Sequence, residues 1–505
     1  MIPTPYAQLA RLAAPEIILV LTALVVMAFD LLLRARALRT RFTMAATLGS
    51  LGCAAAILEI LLTQTPTQTL FDGVLIANPL THLVQIALLA LAILTLLLST
   101  HSTFTTHVGE FVLLILIATT GMMFLVATQD LLVLFLSLEL LSLSLYILTG
   151  FDKHSPRSAE ASLKYFLFGS MSAAFLLFGF SLLYGLANST SFAAIAAAIA
   201  SSANAPALNP LLAVAIVTTA IGLGFKVAAA PFHFWAPDVY QGAPAPSAAF
   251  IASASKVASF FIFFQLMALA FAGAEGTAAL PNLLRGWVPA LALVAALSML
   301  LGNLVAIRQS GLRRLLAYSA VSHAGYILLA LVAHTAVSLA ALLYYVVTYA
   351  LATLGAFAVI DLVERETGSD QLSRFDGLGR RAPLLSLSLA IFILSLAGIP
   401  PLAGFFAKFY LFVAVLNAAP GSTHTTGLLW LVVLAIAMSA VSLYYYLKVL
   451  KRVYVASPPA SSTPLHTPIL TTLVIALIAA AVLILGCAPR LLLDPILAAI
   501  QASGL

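Results

Sequence analysis

The chain has 505 residues, of which 63% are apolar and only 8% charged, with a formal net charge of +6. Ordinary soluble domains carry roughly a quarter charged residues, so this composition excludes a soluble fold and indicates a membrane protein. The basic excess is distributed by topology, as shown below, and gives no reason to invoke nucleic acid.

Apolar windows of about 20 residues, the length that crosses a bilayer core, recur along the whole sequence. They predict fourteen spans: 15–33, 43–63, 79–99, 108–127, 129–149, 161–186, 209–241, 246–272, 286–307, 312–333, 336–362, 384–417, 427–449 and 467–488. The seventh and twelfth are too long for one straight crossing. An Ala-rich piece at 192–201 reads as a surface helix. Backbone groups in lipid must bond within their own segment, and no stretch alternates as barrel strands do. The expected fold class is therefore an all-α polytopic membrane protein. The start, MIPTPYAQLARLAAPEIILV, lacks a cationic region followed by a small-residue cleavage site, so the first apolar run reads as a retained span.

Orientation follows from the lysines and arginines. Sixteen of the 23 fall in loops after odd-numbered spans, from Arg34 to Arg452, and three on the other side: Arg11, Arg285 and Arg490. The positive-inside rule then puts the sixteen in the cytoplasm and both termini outside. The remaining four, Lys164, Lys226, Lys256 and Lys408, lie inside predicted spans. The two cysteines, Cys53 and Cys487, form no CxxC, which excludes a four-cysteine iron–sulfur cluster and argues against a disulfide framework.

A charge at mid-bilayer costs about 2.5–3.5 kcal/mol on insertion scales, so four lysines and Glu139 together cost on the order of 10–15 kcal/mol. Such residues point to function. Lys164, in EASLKYFLFG, lies a few residues inside the cytoplasmic end and fits a snorkelling structural role as well as a functional one. Lys226, Lys256 and Lys408 lie too deep for that. Glu139 sits midway along the fifth span with Ser142 and Tyr146 on the same helical stripe. One buried carboxylate among buried amines implies pairing, with Lys226 as the partner.

Pro231 interrupts the seventh span, and Pro400 and Pro401 interrupt the twelfth, each within a few residues of a lysine. Broken helices at membrane depth are tolerated only where they line protein or a watery cavity. The seventh span runs inward and the twelfth outward, so the two are related in an inverted sense, as in transporters built from inverted repeats. The expected organisation is one membrane domain (1–505): an N-terminal three-helix segment (1–107), a first five-helix repeat (108–272), a second, inverted one (286–453) and a C-terminal helix (467–505).

His323 lies mid-span in RRLLAYSAVSHAGY, with Ser319, Ser322 and Tyr326 at helical spacing. Its polar neighbours and an ordinary histidine pKa near 6.5 favour a proton relay over simple packing. No second mid-membrane histidine accompanies it, which argues against haem. His82 and His233 read as span-edge residues.

These blocks also carry a resemblance. KVAAAPFHFWAPDVYQGAPAPSAAFIASASK, YSAVSHAGY and GIPPLAGFFAKFY resemble the signature blocks of the antiporter-like subunits of proton-pumping NADH:quinone oxidoreductase, respiratory complex I. LKYFLFGSMSAAFLLFGFSLLYG and PDVYQGAP resemble its N branch, and the likeness runs through essentially all fourteen spans. The resemblance implies two inverted five-helix repeats and a proton channel. It places the family's fifth-helix glutamate on Glu139, its seventh- and eighth-helix lysines on Lys226 and Lys256, and its twelfth-helix charge on Lys408. The M branch usually has glutamate at that last position.

The resemblance further implies that this chain holds no cofactor, metal or catalytic residue. NADH, FMN, iron–sulfur clusters and quinone belong to other subunits. The implied partners are other complex I membrane subunits, the lipid bilayer and protons, in a bacterial inner (plasma) membrane with both termini periplasmic. Subunits of multisubunit cation/proton antiporters and membrane-bound hydrogenases share these blocks and form the alternative. An organic-solute transporter would want a polar substrate pocket, whereas the ionisable residues here suit protons better.

Overall fold

The computed structural model describes residues 5–63, 67–202, 209–280, 285–418, 427–458, 465 and 467–504. Leu505, the end of the expected C-terminal segment, lies outside the described residues. Among the described residues, twelve helices are long and apolar enough to cross a membrane: Ala14–Leu32, Leu38–Thr63, Pro79–Ser99, Val108–Val126, Leu131–Thr149, Pro156–Ala187, Ala245–Ala270, Trp287–Ile307, Leu312–Ala333, Ala336–Thr367, Leu429–Tyr454 and Ile469–Cys487. Two further spans are broken. The seventh consists of Pro210–Lys226 and Trp235–Gly242, and the twelfth of Pro383–Ala397 and Ala403–Leu416. Twelve and two make the fourteen crossings expected, with the breaks in the spans that carry Pro231, Pro400 and Pro401.

Local chemistry sets the ends. Asn78 accepts from Thr81 N at the start of the third span, and Asp130 accepts from Leu132 N and Val133 N at the start of the fifth, each satisfying amides that the first turn leaves open. The sixth and seventh spans have proline in their first turn, where no amide donor is needed. Thr335 and Ser338 form a reciprocal capping box on the eleventh.

Three elements depart from the expectation. The eighth span is itself interrupted at Ser253 (φ −113°, ψ −81°), between Ala245–Ala252 and Ala254–Gln265, and ends in a π-helical turn, Leu266–Ala270. Ser253 Oγ donates to Ala249 O at 2.6 Å, the back-bonding that bends helices. A two-stranded antiparallel hairpin, Gln68–Leu70 with Leu75–Ala77, follows the second span. After the last span, a separate helix Arg490–Ala502 packs on the third and eleventh spans. The Phe192–Ser202 helix lies where the Ala-rich piece predicts one and packs on the π-helical turn.

The eighth, tenth and eleventh spans are buried along nearly their whole length and form the centre of the bundle, whereas the first, sixth and thirteenth turn most of their surface outward. Lys256 and His323 therefore stand on the most enclosed helices.

Candidate functional site

The break of the seventh span begins right after Lys226. Pro231 has no amide to donate, and the chain crosses residues 227–234 before Trp235 restarts the helix. Its backbone groups find partners one by one. Ala229 N donates to Gly224 O at 2.8 Å, Ala230 N to Ser298 Oγ of the ninth span at 2.8 Å, and Trp235 Nε1 to Phe225 O at 2.9 Å. Val227 O accepts from the Lys256 ammonium of the eighth span. His233 lies in this break, buried and with Nδ1 unpartnered, and not at a span edge as its position in the sequence suggests. The first half-helix ends at Lys226, five residues before Pro231 and seven before His233.

Lys226 Nζ donates to Ser142 Oγ at 2.8 Å, and Ser142 in turn donates to Leu138 O at 2.5 Å. Glu139, one turn before Ser142, is within electrostatic reach of Lys226, and the hydroxyl is the amine's direct hydrogen-bond partner. Glu139 is half-buried, on the same outward side of the fifth span as the exposed Leu132, Leu136 and Leu143.

The twelfth span repeats the motif. Lys408 Nζ donates to Ala397 O at 2.9 Å and Leu396 O at 3.3 Å, the last carbonyls of the half-helix before the break, and to Ser439 Oγ of the thirteenth span at 2.8 Å. Gly398 makes the approach possible. Its φ of +86° suits glycine, and a Cβ there would stand 3.0 Å from Lys408 Cδ. A cavity of about 270 Å³, lined by Phe405, Phe409, Ile436 and Ser439, reaches Lys408 from the side.

In both halves a lysine thus meets carbonyls at the C-terminal end of a half-helix. Those carbonyls lack intrahelical partners and carry the negative end of the helix dipole, so they solvate an ammonium where water does not. The eighth-span lysine serves the seventh-span break, and the twelfth-span lysine serves its own.

His323 stands on the tenth span, which packs against both the eighth and the twelfth. Its Nδ1 is 2.8 Å from Tyr345 Oη and its Nε2 3.2 Å from Tyr446 Oη, which is 2.5 Å from Ser319 Oγ. The Tyr349 ring lies 5.0 Å away and Tyr326 5.8 Å. Tyr326 in turn lies beneath Lys408 Nζ at 5.2 Å, and Asn303 joins the Tyr326 and Tyr445 hydroxyls at 3.1 and 3.0 Å. Lys256 Nζ stands 6.0 Å from the Trp235 ring. Lys226 and Lys256 thus lie within electrostatic reach of each other, as do His323 and Lys408, and Glu139 lies within reach of Lys226.

Lys164 stands apart. It is partly exposed and pairs with Glu160 and with Asp238, both at 2.7 Å, while Arg314 pairs with the other Asp238 oxygen at 2.8 Å. Sequence reasoning missed Asp238, Tyr345, Tyr446, Ser439 and Asn303. Only Asp238 carries a readable signal, as a carboxylate in a broken span. Among the described residues, no three His, Cys, Asp or Glu side chains converge as a metal site would require.

Fourteen spans with the seventh and twelfth broken, each break met by a buried lysine, define a polytopic membrane protein of the broken-helix type. The chain matches the family described as NADH:quinone oxidoreductase/Mrp antiporter, TM, over residues 128–441, and it belongs to that family. It is 54% identical to NADH-quinone oxidoreductase subunit N 2 of Acidobacterium capsulatum, over 98% of this chain and 99% of that one. It is 42% identical to NADH-quinone oxidoreductase subunit N 1 of Roseiflexus castenholzii, over 83% of this chain and 79% of the relative. A chain of respiratory complex I from Thermus thermophilus with bound aureothin superposes with a TM-score of 0.74 at 35% identity, covering 94% of this chain and 98% of that one. A chain of the Mrp complex from Dietzia sp. is similar in fold, with a TM-score of 0.78 at 21% identity over 96% and 97%.

Proposed function

We propose that this chain is an antiporter-like membrane-arm subunit of an NADH:quinone oxidoreductase and carries protons through the bilayer along Glu139, Lys226, Lys256, His323 and Lys408. The observation that carries this reading is the repeated break: a buried lysine is held on half-helix carbonyls in each half of the chain, and His323 with its tyrosines stands within reach of Lys408. Every member of that line holds or exchanges a proton. The two repeats are 108–272 and 286–453, preceded by the three-helix segment 1–107 and followed by 467–505. Lys164 closes the cytoplasmic end of the first repeat.

Two cysteines are too few for a four-cysteine iron–sulfur cluster, so clusters belong to other subunits of the complex, and the family reading assigns NADH, FMN and quinone to other subunits as well. The basic loops face the cytoplasm of a bacterial inner membrane and both termini face the periplasm. The cation/proton antiporter reading is less favoured, because the strong sequence likeness is to NADH-quinone oxidoreductase subunits while that to the Mrp complex is one of fold.

The test is to purify the chain's complex in mild detergent and measure NADH-driven proton uptake in everted membrane vesicles. NADH:quinone oxidoreductase subunits should co-purify. Moving one charge against 100 mV takes about 2.3 kcal/mol, so the isolated chain should drive no uphill transport. Uphill transport by the isolated chain with neither gradient nor redox substrate would refute the proposal.

A further inference from the structure

A polar cavity lies on the side of the bundle that carries the basic loops. It has a volume of about 390 Å³ and opens where the turn between the seventh and eighth spans faces the start of the tenth and the end of the eleventh, and its lining includes Gln241, Ala245, Arg313, Asp361 and Glu364. Arg313 closes it. The guanidinium is buried, pairs with Glu364 at 2.5 Å, and donates to Ala243 O at 2.8 Å and Gln241 O at 3.4 Å. One ion pair therefore ties the tenth span to the eleventh and to the turn after the seventh.

Above this pair stand buried hydroxyls. Tyr240 Oη and Ser247 Oγ are buried and make no hydrogen bond with the protein, and Thr353 Oγ1 is buried beside Tyr349. A buried hydroxyl without a partner costs about 1–3 kcal/mol, and buried polar groups lacking protein partners ordinarily take ordered water instead. Tyr240 and Ser247 flank the cavity's Gln241–Ala245 rim. Glu364, Phe357, Thr353, Tyr349 and Tyr345 recur at three- and four-residue multiples along the eleventh span, so they share one face. Thr353 lies roughly 16 Å of helix rise beyond Glu364. The Tyr240 ring packs edge-on against Phe357 at 5.7 Å, within electrostatic reach of Tyr349. Tyr349 neighbours Thr353 and Tyr345, and Tyr345 Oη is 2.8 Å from His323 Nδ1.

Resting on the proton-translocation reading above, we propose that this cavity is a cytoplasmic proton entrance separate from the Glu139–Lys226 pair, that Arg313–Glu364 is its latch, and that Tyr240, Thr353, Tyr349 and Tyr345 with intervening water deliver its protons to His323. Each hydroxyl takes a proton on its oxygen and releases its own, so the line is unchanged after each transfer and His323 gains the charge. The Glu139–Lys226 pair lies on the fifth and seventh spans and meets none of these groups directly. The core accordingly has two inputs, and Tyr240 and Thr353 are relay residues of the second.

The experiment compares Tyr240→Phe/Thr353→Val with Thr353→Ser in the assembled complex, reading protons taken up per NADH oxidised by everted vesicles. Valine matches threonine in shape and serine keeps the hydroxyl, so a packing role and a relay role separate. The expected result is a loss of roughly half or more of the protons per NADH in the double variant, with near-normal pumping in Thr353→Ser. Lys408→Ala is measured alongside. If Lys408→Ala loses pumping while the double variant keeps its full ratio, the entrance is overturned and the translocation reading stands. If both keep the full ratio, both fall. Should the double variant not assemble, Tyr240→Phe alone is read by the same criterion.

Discussion

Lys226 Nζ donates to Ser142 Oγ at 2.8 Å, so a hydroxyl, and no carboxylate oxygen, is the direct partner of the first buried amine. Glu139 acts on that amine through space. At about 6 Å and an effective dielectric near 20, opposite unit charges attract by roughly 3 kcal/mol, and a hydrogen bond to a charged group contributes about 1.5–3 kcal/mol. The two contributions are comparable and separable. Ser142→Ala removes the bond and leaves the charge; Glu139→Gln does the reverse. Both should lower NADH-driven proton uptake, and Glu139→Asp should be milder than Glu139→Gln. Everted vesicles with assembly checked on native gels measure this. Equal pumping by the glutamine and aspartate variants would leave Glu139 as a structural counter-charge.

Lys408 is held by two carbonyls and one hydroxyl, all neutral, which suits a group that gains and loses a proton. Lys408→Ala should assemble, since it removes a costly buried charge, but should pump fewer protons per NADH. Lys408→Arg should be impaired as well, because guanidinium hardly releases its proton. A normal proton-to-electron ratio in assembled Lys408→Arg would take the residue off the path. The same comparison at Lys256, whose ammonium meets Val227 O, tests the seventh-span break.

The two helix breaks were legible in the sequence because proline removes a backbone donor at a fixed place, and Pro231, Pro400 and Pro401 stand inside otherwise continuous apolar runs. The interruption at Ser253 was not, since serine is as much at home inside a helix as beside a bend. Lysines and Glu139 showed themselves by charge in an apolar run. Their hydroxyl and carbonyl partners did not. Tyr345 lies 22 residues from His323 and Tyr446 lies 123, on spans whose neighbourhood only the packed bundle decides. Carbonyl partners such as Val227 O and Ala397 O carry no side-chain signature at all.

Gly398 offers a test of the twelfth-span geometry that leaves every ionisable group in place. A left-handed backbone costs a residue with a Cβ roughly 1–2 kcal/mol, and the added methyl would also press on Lys408 Cδ and Nζ, at 3.0 and 3.2 Å. Gly398→Ala should therefore lower the melting temperature of the purified complex slightly and lower proton uptake more than stability alone explains. Wild-type pumping in this variant would show that the ammonium tolerates displacement from the half-helix carbonyls.

Asp238 is a hub of ion pairs, accepting from Lys164 at 2.7 Å and Arg314 at 2.8 Å, and so linking the sixth, seventh and tenth spans. The two cations differ in what they lose without it. Lys164 retains Glu160 at 2.7 Å, is about a third exposed, and belongs to the class of ion pairs that contribute about 0–1 kcal/mol. Arg314 retains only a 3.3 Å bond to Gln241 Oε1 among the partners described. Lys164→Ala should thus leave assembly and pumping near wild type, whereas Asp238→Asn, which weakens both links at once, should loosen the second half of the broken seventh span and reduce proton uptake. Raising the salt concentration should narrow the difference in melting temperature between wild type and Lys164→Ala, because exposed pairs are screened. If Lys164→Ala instead loses pumping as completely as Lys408→Ala while remaining assembled, Lys164 is a member of the proton line and its ion pairs are incidental to its role.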